Sequence, residues 1–170
     1  MNNLGLKCII RDGKSNLVAI ISLENGEIHM HTFKSPSIFS FKSNSGEILN
    51  WHRENILSLI SNFNIKGISI KKSERESFTG RPKNSDIFKL YLEGVLLSLA
   101  GTSGIFNKHY YKNDITYTLE NSNIFNCTLE DIATNYNKTL QFGPVNQADK
   151  KAIIEALLSV LSLEKELNND

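Results

Sequence analysis

The chain has 170 residues, of which 40% are apolar, and its formal net charge at pH 7 is +1. This length and apolar content predict a single globular domain over residues 1–170 with a sizeable buried core. The near-neutral charge excludes a global basic field that would draw the whole protein onto nucleic acid or an anionic membrane, so any anion site must be local.

The first residues lack a basic region followed by an apolar one, and no apolar run approaches the roughly 18 residues needed to span a bilayer. We therefore expect a cytoplasmic protein with no membrane partner. Cys8 and Cys127 are far apart in the sequence and have no CxxC or His-rich neighbourhood. This favours two unpaired thiols over a structural zinc site.

The first third of the chain has the pattern of a three-stranded antiparallel meander. Residues 5–11 place apolar side chains on one face at period two, residues 17–23 are a nearly continuous apolar run, and residues 27–33 alternate. Asp12-Gly13 and a later Asn-Gly pair are turn dipeptides that separate these segments. The pattern predicts three strands joined by tight hairpins.

Helices and strands alternate in the middle of the chain. Apolar residues recur at helical spacing from about residue 44 to residue 63, and a short β-branched segment at 65–70 follows, as expected for a parallel strand. A polar, basic loop at 71–85 then precedes a second amphipathic helix at about 86–100. Aromatic and β-branched residues within 107–119 predict a further strand.

Two more helices are expected near the end of the chain. Thr128 is a good N-cap for a short helix, and Asn146 is a plausible cap for a last helix over about 147–166. The last helix is apolar over a wide arc, which fits either a core helix or one that pairs with its counterpart in a homodimer. The residues of this arc are Ala152, Ile153, Ala156, Leu157, Val160, Leu161 and Leu163.

The predicted order is βββ-α-β-α-β-α, a meander followed by right-handed parallel crossovers. This is the element order of the RNase H-like fold. We therefore predict an α/β domain in which helices flank a mixed central sheet, made of a three-stranded antiparallel meander plus parallel strands.

Particular motifs support the comparison. Residues 8–13 (CIIRDG), followed by a strand, resemble the first hairpin of RuvC-type domains. Residues 68–72 (ISIKK), with 78–80 (FTG) and 88–94 (FKLYLEG) after them, are similar to a small family of bacterial proteins that is assigned to this fold and has degenerate active-site acids. The resemblance covers about residues 4–112 and implies membership of the RNase H-like, RuvC-like superfamily.

The resemblance also implies an alternative function, a Mg²⁺- or Mn²⁺-dependent nuclease of the RuvC-like type. Active members of the superfamily hold two metals with carboxylates at the end of the first strand, at the end of the fourth strand and in the final helix. The first position is closest to Arg11, with Asp12 beside it. The remaining candidates are Glu74 or Glu76 in the loop and Asp149 or Glu155 in the last helix, and the catalytic set of this alternative is Asp12, Glu74 and Asp149.

Lys71 stands where a nuclease of this layout has its second acid. An ammonium group repels a metal pair and cannot ligate it while it is protonated. We therefore expect a pseudo-nuclease, a noncatalytic binding or assembly module that needs no cofactor.

The basic residues after the fourth predicted strand are the candidate surface for nucleic acid or a nucleotide. Lys and Arg neutralise phosphates, and an aromatic ring can stack on a base. Acids are interleaved with these residues, so a merely solvated loop is the competing interpretation. The nucleic-acid-binding candidates are Lys71, Lys72, Arg75, Phe78, Arg81 and Lys83.

His29 and His31 lie two residues apart on one predicted strand face, so both could reach one metal ion. No nearby Asp, Glu or Cys completes a recognisable set of ligands. We therefore predict that they are exposed strand residues.

Overall fold

The computed structural model of the chain describes residues 1–11, 13–36, 44–73 and 83–169. In chain order its elements are β1 (Asn3–Arg11), β2 (Lys14–Ser22), β3 (Glu27–Lys34), α1 (Ser45–Phe63), β4 (Gly67–Lys71), α2 (Asn84–Thr102), β5 (Phe106–Tyr110), α3 (Lys112–Thr118), a 3₁₀ turn (Ile124–Asn126), α4 (Leu129–Asn135), β6 (Thr139–Leu140) and α5 (Gln147–Asn169). The strands form one six-stranded sheet with the order β5-β4-β1-β2-β3-β6.

The sheet is mixed, as the sequence predicts. β1, β2 and β3 form the antiparallel meander, and Gly13 and Gly26 occupy its two turns with φ of 71° and 88°, values that favour glycine. β4 then pairs in parallel with β1, β5 in parallel with β4, and β6 in parallel with β3. The carboxyl ends of the parallel strands β1, β4 and β5 therefore lie together at the same end of the sheet.

Alternation along β1 separates two cores. Leu6 and Cys8 lie in the core on the face that α1 and α2 cover, whereas Ile9 packs into the core that α5 covers. Gly5 lies on the α5 face, where a Cβ would come within 2.2 Å of the Ala156 carbonyl oxygen. The absent side chain lets α5 lie directly against the centre of the sheet.

Helix α5 is the central helix of one core. The seven apolar residues of its predicted arc are each at most 4% exposed within the single chain. The core interpretation of the helix is therefore confirmed. A homodimer stays a prediction, and the single chain already buries the residues through which it was expected. Among the helices that the structure describes, none is long and apolar enough to cross a membrane.

Several predicted boundaries change. The strand expected within 107–119 is confirmed as β5, but the rest of that segment forms helix α3, which the sequence pattern did not predict. Asp114 accepts a hydrogen bond from the Tyr111 amide at 2.7 Å and starts the helix there. Both predicted caps are confirmed: the Thr128 hydroxyl accepts from the Asp131 amide at 3.1 Å, and the Asn146 side chain accepts from the Ala148 amide at 3.0 Å.

Candidate functional site: a cation-lined cleft

A cleft of about 370 Å³ opens where β1 and β4 end, between that edge of the sheet, helix α2 and the first turns of α5. Its wall carries five cationic side chains and one carboxylate among the described residues. The charged lining residues are Lys7, Arg11, Lys71, Lys89, Lys151 and Glu155. We call this site the cation-lined cleft.

The strand register explains why two lysines meet in the cleft. β1 and β4 run parallel with Leu6 beside Ile70, so Lys7 and Lys71 follow side by side and face the opposite side of the sheet, toward α5. Lys71 donates to the Lys72 carbonyl at 2.8 Å, and Lys7 lies 3.5 Å from the same oxygen. The two ammonium groups therefore converge on one carbonyl group, although Lys7 is only 8% exposed and Lys71 only 2%.

A carboxylate from α5 compensates part of this charge. Glu155 forms an ion pair with Lys7 at 2.9 Å, and both side chains are largely buried. A buried pair of this kind holds its geometry well, because removing one partner leaves an uncompensated charge that costs several kcal/mol. Glu155 therefore fixes the position of Lys7 at the floor of the cleft.

The acid at the start of α5 also has a cationic partner. Arg11, the last residue of β1, forms an ion pair with Asp149 at 2.9 Å and donates a second hydrogen bond to the Ala148 carbonyl. This double contact joins the end of the strand to the first turn of the helix. Arg11 thus compensates the negative charge of the Asp149 carboxylate beside the cleft.

Glu93 of α2 lies behind the lining of the cleft and holds the lining residue Ser73 in place. It is 2% exposed, and its carboxylate accepts a hydrogen bond from the Ser73 amide at 2.9 Å, which fixes the chain where it leaves β4. Its second oxygen has no hydrogen-bond partner within the described parts of the chain. Burial, assisted by the charge of Glu93, raises the pKa of the Cys8 thiol to about 12 against the opposing effects of Lys89 and Lys7. Cys8 is therefore a neutral lining group and not a nucleophile.

The predicted site residues are only partly brought together. Lys71 was expected in a polar loop, but it is buried as the last residue of β4 and faces into the cleft. Lys72 instead places its ammonium group 5.5 Å from the centre of the Tyr111 ring, and Lys83 is exposed at the start of α2. Four candidates from the loop and one from the first hairpin lie outside the described residues: Asp12, Glu74, Arg75, Phe78 and Arg81.

The histidine pair differs from its prediction. His29 and His31 are half-buried rather than exposed, because both rings pack against Phe63 of α1, with ring centres 6.1 and 5.7 Å from it. Burial lowers the pKa of His31, and the neighbouring His29 lowers it further. Across the described ranges, no three His, Cys, Asp or Glu side chains are grouped closely enough to hold a metal ion.

No protein-family model and no curated protein sequence matches the chain. Solved structures do match. The RuvC protein of Thermus thermophilus, in complex with a Holliday junction substrate, has a TM-score of 0.67 at 11% identity, with 99% of this chain and 96% of that chain covered. The yeast mitochondrial Holliday junction resolvase Ydc2 has a TM-score of 0.58 at 10% identity, with 96% and 77% covered.

The human cytomegalovirus terminase nuclease domain is a third match, with a TM-score of 0.50 at 12% identity and with 98% and 85% covered. The chain has the RNase H-like fold of the RuvC type. The prediction of fold class is therefore confirmed, and at these identities the likeness concerns the fold alone.

In a RuvC-like fold, the predicted metal positions are the ends of the first and fourth strands and the final helix, and the cation-lined cleft lies where these three elements meet. The described donors do not fit a two-metal centre. The two nearby carboxylates, Asp149 and Glu155, are each paired with a cation, and Lys7 and Lys71 bring two more positive charges to the place. The chemistry of this donor set favours an anion over a cation.

The sequence prediction missed Lys7, the residue of the cleft that forms an ion pair with Glu155 of α5. A signal was present, because Lys7 is a charged residue in the middle of a strand and stands between Leu6 and Cys8 in the sequence. Such a charge is almost never buried without a partner. The missing information was the partner, since Glu155 lies far along the sequence and only the fold places it beside Lys7.

Proposed function

We propose that the protein is a noncatalytic, RuvC-like module that binds nucleic acid by holding a backbone phosphate in the cation-lined cleft. The observation that supports this proposal is the charge of the lining, with five cationic side chains against a single carboxylate. Lysine and arginine groups are the usual partners of phosphate oxygens, and each ammonium group offers three donors. A cytoplasmic location remains an expectation from the sequence.

The depth of the cleft strengthens each charge. Lys7 and Lys71 are nearly buried, and charges that are partly removed from water act more strongly on a bound anion than surface charges do. Lys89 and Lys151 stand at less buried positions of the lining, and Lys89 also lies 3.7 Å from the Asp86 carboxylate of its own helix. The long helix α5 begins at this end, and the positive end of its dipole adds to the same field.

The predicted loop residues remain candidates for an extension of this surface. Lys72 and Lys83 flank the ends of the loop, and Arg75, Phe78 and Arg81 lie between them in the sequence. We propose that they contact the nucleic acid beyond the phosphate that the cleft holds.

The paired carboxylates near the cleft also explain why we propose binding without cleavage. Metal-assisted cleavage of a phosphodiester needs carboxylates that are available to hold the metals. Asp149 and Glu155 are instead committed to Arg11 and Lys7. We therefore propose that the cleft takes up the phosphate directly, at the place where the nuclease alternative would require metal ions.

A metal-dependent nuclease is the second candidate, because the structural neighbours include Holliday junction resolvases and a terminase nuclease domain. Its catalytic set would be Asp12, Glu74 and Asp149, with Mg²⁺ or Mn²⁺ as cofactor. If it is correct, either metal should raise the melting temperature and support cleavage of labelled DNA, and Asp149→Asn should abolish that cleavage.

The binding proposal is tested by fluorescence anisotropy with labelled DNA at a series of salt concentrations. Lys89→Gln with Lys151→Gln should weaken binding about tenfold at low salt and make the salt dependence shallower by at most about 0.7 to 0.9 in log–log slope, since the cleft holds one phosphate. Lys108→Gln with Lys165→Gln is the matched control, because both pair with acids at the far end of α5 or beside α3. Absence of wild-type binding at low salt would remove nucleic acid as the ligand.

A further inference from the structure

An exposed aromatic side chain lies beside the cation-lined cleft. Tyr111 follows β5 directly, and its side chain is large, apolar over most of its area and 44% exposed. The Lys72 ammonium group lies 5.5 Å from the centre of its ring, and the ring of His109 meets it edge to face at 6.4 Å. A cation and a partly exposed aromatic ring thus occur together at this end of the sheet.

The backbone connects this aromatic surface to the cleft. The Lys72 carbonyl receives the Lys71 ammonium group inside the cleft, while the Lys72 amide donates to the Tyr110 carbonyl at 2.9 Å. Lys7, Lys71 and Tyr110 stand in one row across the parallel strands β1, β4 and β5, and Tyr111 follows one residue later, so the backbones of Lys7 and Tyr111 are about 10 Å apart. The Tyr111 ring lies with His109 on the face of the sheet opposite Lys7 and Lys71. A short stretch of extended nucleic acid that passes around this end of the sheet can cover that span.

We propose that the cleft binds single-stranded nucleic acid, with the phosphate among the lysines and an unpaired base stacked on Tyr111. This inference rests on the proposed function and specifies its substrate. A base inside a duplex is already stacked on its neighbours, and its face is not available to a side chain at the surface. Tyr111 can therefore contribute to binding only when the adjacent base is unpaired.

Two properties of the chain favour a single strand over a duplex. The cleft has about 370 Å³, near the lower limit of pockets that hold small ligands, so it fits a nucleotide-sized group rather than a double helix. The net charge of +1 also means that the whole protein exerts little long-range attraction on the dense charge of a duplex. Local charge combined with one stacking side chain is the usual arrangement for single strands.

The test uses a labelled oligonucleotide of one sequence, single-stranded or annealed to its complement, in anisotropy titrations at low salt. Wild type should bind the single strand more tightly than the duplex. Tyr111→Ala should weaken single-strand binding about tenfold, the loss expected for one stacked base, and Tyr111→Trp should retain it. Equal or tighter binding of the duplex would overturn the proposal.

Tyr117→Ala is the matched control. Tyr117 is 87% exposed on α3 and lies beside Lys165 and Glu166, near the opposite end of α5 from the cleft. It should leave binding unchanged. Equal losses from Tyr111→Ala and Tyr117→Ala would refute a specific stacking contact, as would no loss from Tyr111→Ala.

A free nucleotide is the alternative occupant of the cleft. Competition with a mononucleotide distinguishes it from single-stranded nucleic acid. If the mononucleotide binds as tightly as the single strand and shows the same loss with Tyr111→Ala, the single-strand proposal fails. If Lys89→Gln with Lys151→Gln weakens binding about tenfold but Tyr111→Ala does not affect it, only the base-stacking inference fails. If wild type binds no nucleic acid, the proposed function fails with it.

Discussion

Replacement of Glu155 by glutamine should change ligand affinity and stability in opposite directions. Glu155 is the single carboxylate in the described lining of the cleft and pairs with Lys7 at 2.9 Å. Glu155→Gln keeps the shape of the side chain and a hydrogen-bond acceptor but removes the negative charge. The lysines of the cleft then repel one another more strongly in the free protein and attract an anion more strongly.

The two effects have different magnitudes. Loss of a buried ion-pair partner costs about 3 kcal/mol, toward the low end of the usual range because glutamine can still accept a hydrogen bond from Lys7. For a phosphate about 6 Å from the removed charge, the repulsion at an effective dielectric constant of about 20 is near 3 kcal/mol. Screening at the open mouth of the cleft reduces this to about 1 kcal/mol, or a fivefold gain in affinity.

Urea unfolding measures the stability change, and DNA anisotropy at low salt measures the affinity change. Glu164→Gln is the matched control, because Glu164 pairs with Lys138 at 2.7 Å with similar burial, and it lies nine residues further along α5, about 14 Å from Glu155. It should lose similar stability without a gain in affinity. Weaker or unchanged DNA binding by a folded Glu155→Gln protein would refute the electrostatic account of the cleft.

Two further predictions concern the cores. Gly5→Ala should lower the free energy of unfolding by about 3 kcal/mol, measured in urea, because its Cβ would lie 2.2 Å from the Ala156 carbonyl oxygen. His52 is fully buried against the Ser15 hydroxyl, and burial lowers its pKa to about 4. Its contribution to stability should be complete above pH 6.5 and fall by about 3 kcal/mol as the pH decreases to 4, because the unfolded state binds the proton more tightly.

Each of these predictions has a control. Gly46→Ala, in the first turn of α1, should be neutral or slightly stabilising, because nothing lies within 4 Å of the added Cβ. A Gly5→Ala protein as stable as Gly46→Ala would contradict the close packing of α5. For the pH prediction, stability curves of wild type and His52→Gln should converge as the pH falls from 6.5 to 4, and parallel curves would contradict the role of His52.

Most of the fold could be predicted from local patterns. The alternation in β1 and β3, the glycine turns and the cap residues Thr128 and Asn146 each depend on neighbours within a few positions, so their signal is present in the sequence. The division of 107–119 into a strand and a helix was missed, because aromatic and β-branched residues that favour a strand continue into α3.

The candidate site was harder to predict. The sequence singled out Lys71, but as a loop residue, because a lysine at the end of an apolar run usually lies in solvent. Its burial depends on Lys7 and the Lys72 carbonyl, and the position of Lys7 depends on Glu155. These contacts join residues that are far apart in the sequence, and no local pattern indicates which of them meet.

The sequence by itself determined most of the order of strands and helices and the mixed sheet, and its resemblance to RuvC-type domains predicted Lys71 at the place of an acid. The order and the sheet follow from periodicity and turn chemistry, which act over short distances along the chain. Only the tertiary structure decided that α5 is a core helix, that Asp149 and Glu155 are paired with Arg11 and Lys7, and that five cationic side chains line one cleft. The physical reason is that electrostatic interaction depends on distance in space, and the parallel register of β1 and β4 sets that distance.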